Sequence, residues 1–169
     1  MPDAPHIVFS HGKESGPWGT KISRMAELLK LRGLTFDSLD YQGMDEPQPR
    51  IDKLVAHCRG GHKSLLLVGS SMGSYVSLAA AEKVQPAGLF LLAPAVYMPG
   101  YDAPLGLPPG CHVEVVHGWR DDVVPVQNGI RFAREHQALL HVLDSDHRLT
   151  DSLEYITHLF GLFLARFSA

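Results

Sequence analysis

The sharpest concentration of chemistry in the sequence is Gly69-Ser70-Ser71-Met72-Gly73, a G-x-S-x-G run. A serine on a tight strand-to-helix turn needs small neighbours two residues to either side, because a side chain there would collide across the turn. Gly69 and Gly73 meet that need. A helix opening just after the serine aims its free N–H groups at the serine oxygen and at any oxyanion formed beside it. A serine hydroxyl is a poor nucleophile, so it needs a base that a third group holds in place. Both occur downstream. His117-Gly118-Trp119-Arg120-Asp121-Asp122-Val123-Val124-Pro125 offers a carboxylate, Asp121, with Asp122 beside it. Asp144-Ser145-Asp146-His147-Arg148 offers an imidazole, His147. Ser71, Asp121 and His147 thus run in the order nucleophile, acid, base. Near the start, Phe9-Ser10-His11-Gly12-Lys13 can turn the backbone N–H of Lys13 toward a reacting carbonyl oxygen, with the N–H of Met72 as second donor. Taken singly, each piece has a plainer reading: a close-packed or anion-binding glycine turn, a turn-forming aspartate, a solvated histidine.

Those residues can meet only if the elements between them bring their loops to one edge. His6-Ile7-Val8-Phe9-Ser10 reads as a strand. Residues 19–32 set Ile22, Met25, Leu28, Leu29 and Leu31 near helical spacing, with Gly33 as the stop. Residues 34–39 read as a second strand, and Ile51, Leu54, Val55 and Cys58 share a helical face that ends at Gly60-Gly61. Strands follow at 64–68, 88–92, 112–117 and 139–143, with helices at 73–84 and near 126–137. Asp151-Ser152-Leu153-Glu154 has the form of a capping box for a last helix whose apolar face is Leu153, Ile156, Phe160, Phe163 and Phe167. Six strands alternating with five or six helices, the strands as continuous apolar runs, predict an α/β fold. It is a three-layer α/β/α sandwich around a mainly parallel sheet. Each candidate site residue then follows a strand, at the edge where open α/β sheets bind ligands. Residues 94–110 break the rhythm with Pro94, Pro99, Pro104, Pro108, Pro109 and three glycines. Their apolar content suits either a flap over a pocket or a loop packed on the core.

Composition narrows the classes. A chain of 169 residues reads as one domain, 1–169, large enough for its own core. Fifteen Lys+Arg against eighteen Asp+Glu give a net charge of −3, which argues against a phosphate-tracking nucleic-acid binder. No apolar run approaches the roughly 18 residues of a membrane span, and no basic-then-apolar leader opens the sequence. Cys58 and Cys111 make neither a disulfide framework nor zinc spacing. A cytoplasmic chain is expected, with no membrane or nucleic-acid partner, no metal and no cofactor. Neither G-x-G-x-x-G nor a G-K-[ST] loop occurs, which disfavours nucleotide binding. Among lesser features, Ser70 reads as a packing residue of the elbow, and Lys13 and Glu14 as a solvated turn or a substrate contact. Trp18 and Trp119 read as walls of a pocket or as core or rim packing. His57, Cys58 and His62 read as helix-end residues rather than ligands, and His11 as a holder of its own loop.

The strand-H-G opening, G-x-S-x-G, H-G-x-x-D-x-V-V-P and the Asp146-His147 pair before the last helix together resemble the α/β-hydrolase superfamily, from about His6 to Phe167. The size is similar to its small serine hydrolases without a cap, such as the YqiA-like esterases and the retinoblastoma-binding-protein-type hydrolases. The resemblance implies a minimal core in which Ser71 is the nucleophile, His147 the base and then acid, and Asp121, ahead of Asp122, the orienting carboxylate. It implies that Lys13 and Met72 donate to the oxyanion, and that a carboxylic ester or related acyl bond is cleaved without cofactor. The substrate would be a small or surface-presented acyl compound. It also implies that the sheet opens at what is the third strand of the full fold. The alternatives are a catalytically silent binding or scaffold protein, and a thioesterase or acyltransferase using the same three residues.

Overall fold

The computed structural model describes residues 4–168. Its elements are β1 (His6–Ser10), α1 (Thr20–Leu31), β2 (Thr35–Leu39), α2 (Pro47–Cys58), β3 (Leu65–Ser70) and α3 (Met72–Val84). There follow β4 (Gly88–Leu92), β5 (His112–Gly118), α4 (Val126–His136), β6 (Leu139–Leu143) and α5 (Leu153–Ala165). The strands form one parallel sheet in the order β2-β1-β3-β4-β5-β6. The expected α/β sandwich is therefore the observed one.

Side-chain alternation along the strands splits the core in two. Val8, Leu65, Leu67, Leu89, Leu91 and Val115 face α2, α3 and α4. Ile7, Phe9, Leu66, Val68, Phe90, Leu92 and Val116 face α1 and α5. Both faces of the central strands are thus covered, which is why those strands read as unbroken apolar runs. The α1 face is Ile22, Met25, Ala26 and Leu29, at i, i+3, i+4 and i+7. Leu31 falls outside that stripe and is exposed. On α5, Ile156, Phe160 and Phe163 are buried as expected, joined by Leu159 and Leu164, while Phe167 lies just past the helix and packs against the same cluster.

The capping box is not formed. A 3-10 turn (Thr150–Ser152) precedes α5, and Ser152 makes no side-chain bond to the helix. Its hydroxyl donates instead to Asp151, whose carboxylate also accepts from Ser145 Oγ and Arg120. The tertiary contact removes the carboxylate from the local one. Among the described residues no helix is long and apolar enough to cross a membrane.

The strand order reverses direction between β1 and β3, and a crevice opens there beyond the carboxyl ends of the strands. Ser10 stands opposite Gly69, Ser70 opposite Leu92 and Gly118 opposite Leu143, so the loops after all these strands share one edge. Phe160 holds α5 to the sheet and packs on Phe9, Phe90 and Phe163 with no exposed surface. Phe160→Ala is expected to cost about 3–5 kcal/mol of unfolding free energy in a urea titration. A loss below about 1 kcal/mol would contradict this role for the ring.

Candidate active site

Ser71 sits in the one-residue turn between β3 and α3 with φ 53° and ψ −114°, a conformation L-residues seldom adopt. Such a residue costs on the order of 1–3 kcal/mol and persists only where its surroundings hold it. Here Ser71 N–H donates to Leu92 O at 2.8 Å, and Ser71 O accepts from Ser74 and Ala95 N–H at 3.1 and 3.2 Å. The glycines act as expected in one case and differently in the other. A Cβ on Gly69 would lie 2.4 Å from Ser74 Cα, across the turn itself. A Cβ on Gly73 would lie 1.9 Å from Ser10 O, so this glycine admits the end of β1 rather than the turn.

That approach sets the first strand's loop beside the serine. A Cβ on Gly12 would stand 3.7 Å from Ser71 Cβ. His11 is fully buried: its Nε2 accepts from Tyr41 N–H at 2.8 Å and its Nδ1–H donates to Gly12 O at 2.7 Å. Burial chiefly lowers its pKa, so it stays neutral and holds its loop.

The β5 and β6 loops supply the rest. His147 Nε2 lies 3.0 Å from Ser71 Oγ, and its Nδ1 lies 2.8 Å from Asp121 Oδ2. With Nδ1–H donated to the carboxylate, Nε2 is free to accept from the serine hydroxyl. The Asp121 side chain is fully buried, and both of its oxygens meet polar partners. Val123 and Val124 N–H donate to Oδ1 at 2.9 and 2.8 Å, and His117 Nε2, which also donates to Val124 O, lies 3.1 Å from Oδ2. Burial by itself would raise the Asp121 pKa, but the bonds from His117, His147 and the two backbone N–H groups outweigh it, and the carboxyl lies far below its ordinary range. The two loops are stitched by Trp119 N–H to Leu143 O (2.8 Å) and Arg120 N–H to Ser145 O (3.0 Å). Gly118 makes this possible, since its Cβ would fall 2.2 Å from Ser145 O.

The structure therefore brings Ser71, His147 and Asp121 together, with Gly12, Lys13 and Met72 adjoining. Asp122 is exposed on the cleft wall, and Asp121 is the carboxylate on His147. Asp144 pairs with Arg120, and Asp146 closes a turn onto Arg148 and Leu149 N–H. An open cleft of about 760 Å³ lies over Ser71, lined also by Lys13, Ser70, Met98, Tyr101, Val123 and His147. Residues 94–110 form its side wall, pinned by Ala103 N–H on Tyr75 Oη and Asn128 Nδ2 on Val96 O, and leave Ser71 part-exposed. Trp18 and Trp119 are exposed, and Trp18 packs edge-on against Phe36. His57 and His6 share Asp37 Oδ2, and Cys58 is buried in the core. Sequence reasoning missed His117 and Arg50. The first shares the inward register of Val113 and Val115; the second interrupts the stripe of Leu54 and Cys58 at i, i+4, i+8.

No family model matches the chain, and no curated protein matches it. Solved structures do. An α/β-superfamily protein from Xanthomonas campestris pv. campestris superposes with TM-score 0.86 at 27% identity, covering 95% of this chain and 97% of that one. Est1E from Butyrivibrio proteoclasticus gives 0.81 at 18%, covering 99% and 89%. A lidless α/β serine hydrolase, also from Xanthomonas campestris, gives 0.72 at 23%, covering 94% and 81%. The chain is a small member of the α/β-hydrolase superfamily.

Because the folded state holds the Asp121 proton less tightly than the unfolded state, its stabilisation is complete above the ordinary aspartate value near 4 and is lost as pH falls toward the lowered one. Asp121→Asn should therefore lose less stability than wild type between about pH 6 and about pH 3 in denaturant titrations. Parallel losses in the two proteins would contradict the bonding described for Asp121.

Proposed function

We propose that the protein is a serine hydrolase that cleaves a carboxylic ester or related acyl bond through an acyl-enzyme on Ser71. One observation carries the reading: an unbroken hydrogen-bonded chain from Ser71 Oγ through His147 to buried Asp121, at the floor of an open cleft. Ser71 Oγ attacks the acyl carbon as its proton passes to His147 Nε2, and the carbonyl π pair moves onto oxygen. Asp121 holds the imidazole orientation and offsets the imidazolium charge. The N–H groups of Lys13 and Met72 hold the oxyanion. The tetrahedral adduct collapses, the bond to the leaving group breaks, and His147 returns the proton to it. Water then repeats both steps on the acyl-enzyme. Every proton has a donor and an acceptor in the chain or the water.

The cleft is open and bounded on one side by the 94–110 segment, which suits a small or surface-presented acyl group. Cys58 and Cys111 as free thiols suit a cytoplasmic setting. A fluorophosphonate should label Ser71 and nothing else in a Ser71→Ala comparison. Short-ester hydrolysis should fall by a factor on the order of 10⁶ in that variant. Hydrolysis or labelling that survives Ser71→Ala would overturn the reading.

A further inference from the structure

Arg50 lies on α2 with 1% of its surface exposed. Burying a guanidinium costs several kcal/mol unless its N–H groups are met. Three of its five N–H groups meet backbone carbonyls: Nε donates to Met44 O at 2.8 Å, and Nη1 donates to His11 O at 3.0 Å and Gly12 O at 3.3 Å. The guanidinium also stands 5.2 Å from the centre of the Tyr41 ring. The serine-hydrolase mechanism above makes no use of this side chain.

Its contacts converge on the peptide that the mechanism does use. Gly12 O has two lone pairs, and both are engaged, one by His11 Nδ1–H at 2.7 Å and one by Arg50. The tautomer of His11 is fixed because its Nε2 accepts from Tyr41 N–H. The Gly12–Lys13 peptide is planar and trans, so its C=O and its N–H point in opposite directions. Anchoring Gly12 O against the buried Arg50 therefore turns Lys13 N–H the other way, and Gly12, Lys13 and Ser71 all line the one cleft, with Gly12 beside Ser71. A cation on the carbonyl also polarises the peptide and strengthens its N–H as a donor.

We infer that Arg50 is a positioning residue of the oxyanion site: with His11 it clamps Gly12 O and so aims Lys13 N–H at the oxygen that becomes negative when Ser71 attacks. The inference rests on the serine-hydrolase reading and adds the side chain that sets one of its two donors. Arg50 touches no substrate. Its effect passes through one peptide group, so it should be felt in the transition state and little in substrate binding.

Two variants test it. Arg50→Met keeps the apolar stem and removes the donors, and Arg50→Lys keeps the charge but cannot span three carbonyls as the planar fork does. For a short ester, both should lower kcat with KM within about twofold of wild type. The drop should reach about 10-fold or more, below the roughly 10²–10³ ceiling for outright loss of a donor. The discriminating readout is an aryl trifluoromethyl ketone. Ser71 Oγ bonds to its carbonyl carbon, the serine proton goes to His147, and the ketone oxygen becomes the hemiketal oxyanion. Titrated by fluorine NMR, the pKa of that oxygen should rise in both variants, which a general loosening of the fold would not produce. A folded Arg50→Met protein with wild-type kcat, or a lowered kcat with an unchanged hemiketal pKa in either variant, would overturn the inference alone. A wild-type protein that forms no adduct at all would overturn the serine-hydrolase reading and the inference with it.

Discussion

The close approach of α3 to the end of β1 is the constraint on which the rest of the site depends. No Cβ fits at Gly73, because it would lie 1.9 Å from Ser10 O. That contact sets the start of α3 directly against the β1 loop, so Ser71 and Gly12 become neighbours although 59 residues separate them in the chain. Gly69 allows the turn to be tight, and the bonds from Ser71 to Leu92 and Ala95 hold the serine in a backbone conformation it would not otherwise keep. The strain is thus supported from β4 on one side and β1 on the other.

A second close approach does the same for the charged half of the site. Gly118 lets the β5 loop lie on the β6 loop, and Asp121 and His147 meet as a consequence. A carboxylate so deeply buried would normally take up a proton. Four hydrogen-bond donors keep it ionised, and two of them come from the backbone of its own turn. His117 closes the set from the strand side, and Gly129 leaves room for its ring, since a Cβ there would fall 2.3 Å from His117 Nδ1. Charge and geometry are therefore fixed before any substrate arrives, which is what electrostatic preorganisation requires.

Much of this was legible in the sequence. The strands and helices follow from apolar runs and helical spacing because both sheet faces are covered and few local signals compete. The residues Ser71, Asp121 and His147 could be singled out because each follows a strand, and parallel strands share a carboxyl edge. Long-range partners were not legible. The local pattern makes Asp151 part of a cap, yet Arg120 recruits it from the β5 loop, 31 residues away, and Ser145 from the start of its own loop. Nothing local marks Arg50, whose partner is the β1 loop 38 residues earlier. The turn motif explains Gly69 but not Gly73, whose collision is with Ser10 O on the strand beside it. Residues 94–110 were correctly free of helix, but only the bonds to Tyr75 and Asn128 reveal a wall rather than a cover.

The central claim is that Ser71 carries the acyl group between two half-reactions, and a chemical quench reads it most directly. Protein mixed with an excess of a short activated ester, stopped in acid within the first turnovers and digested, should yield one acyl group per chain on the peptide that contains Ser71. An acyl group found on another residue, or ester turnover with no acylated peptide at any quench time, would contradict the account.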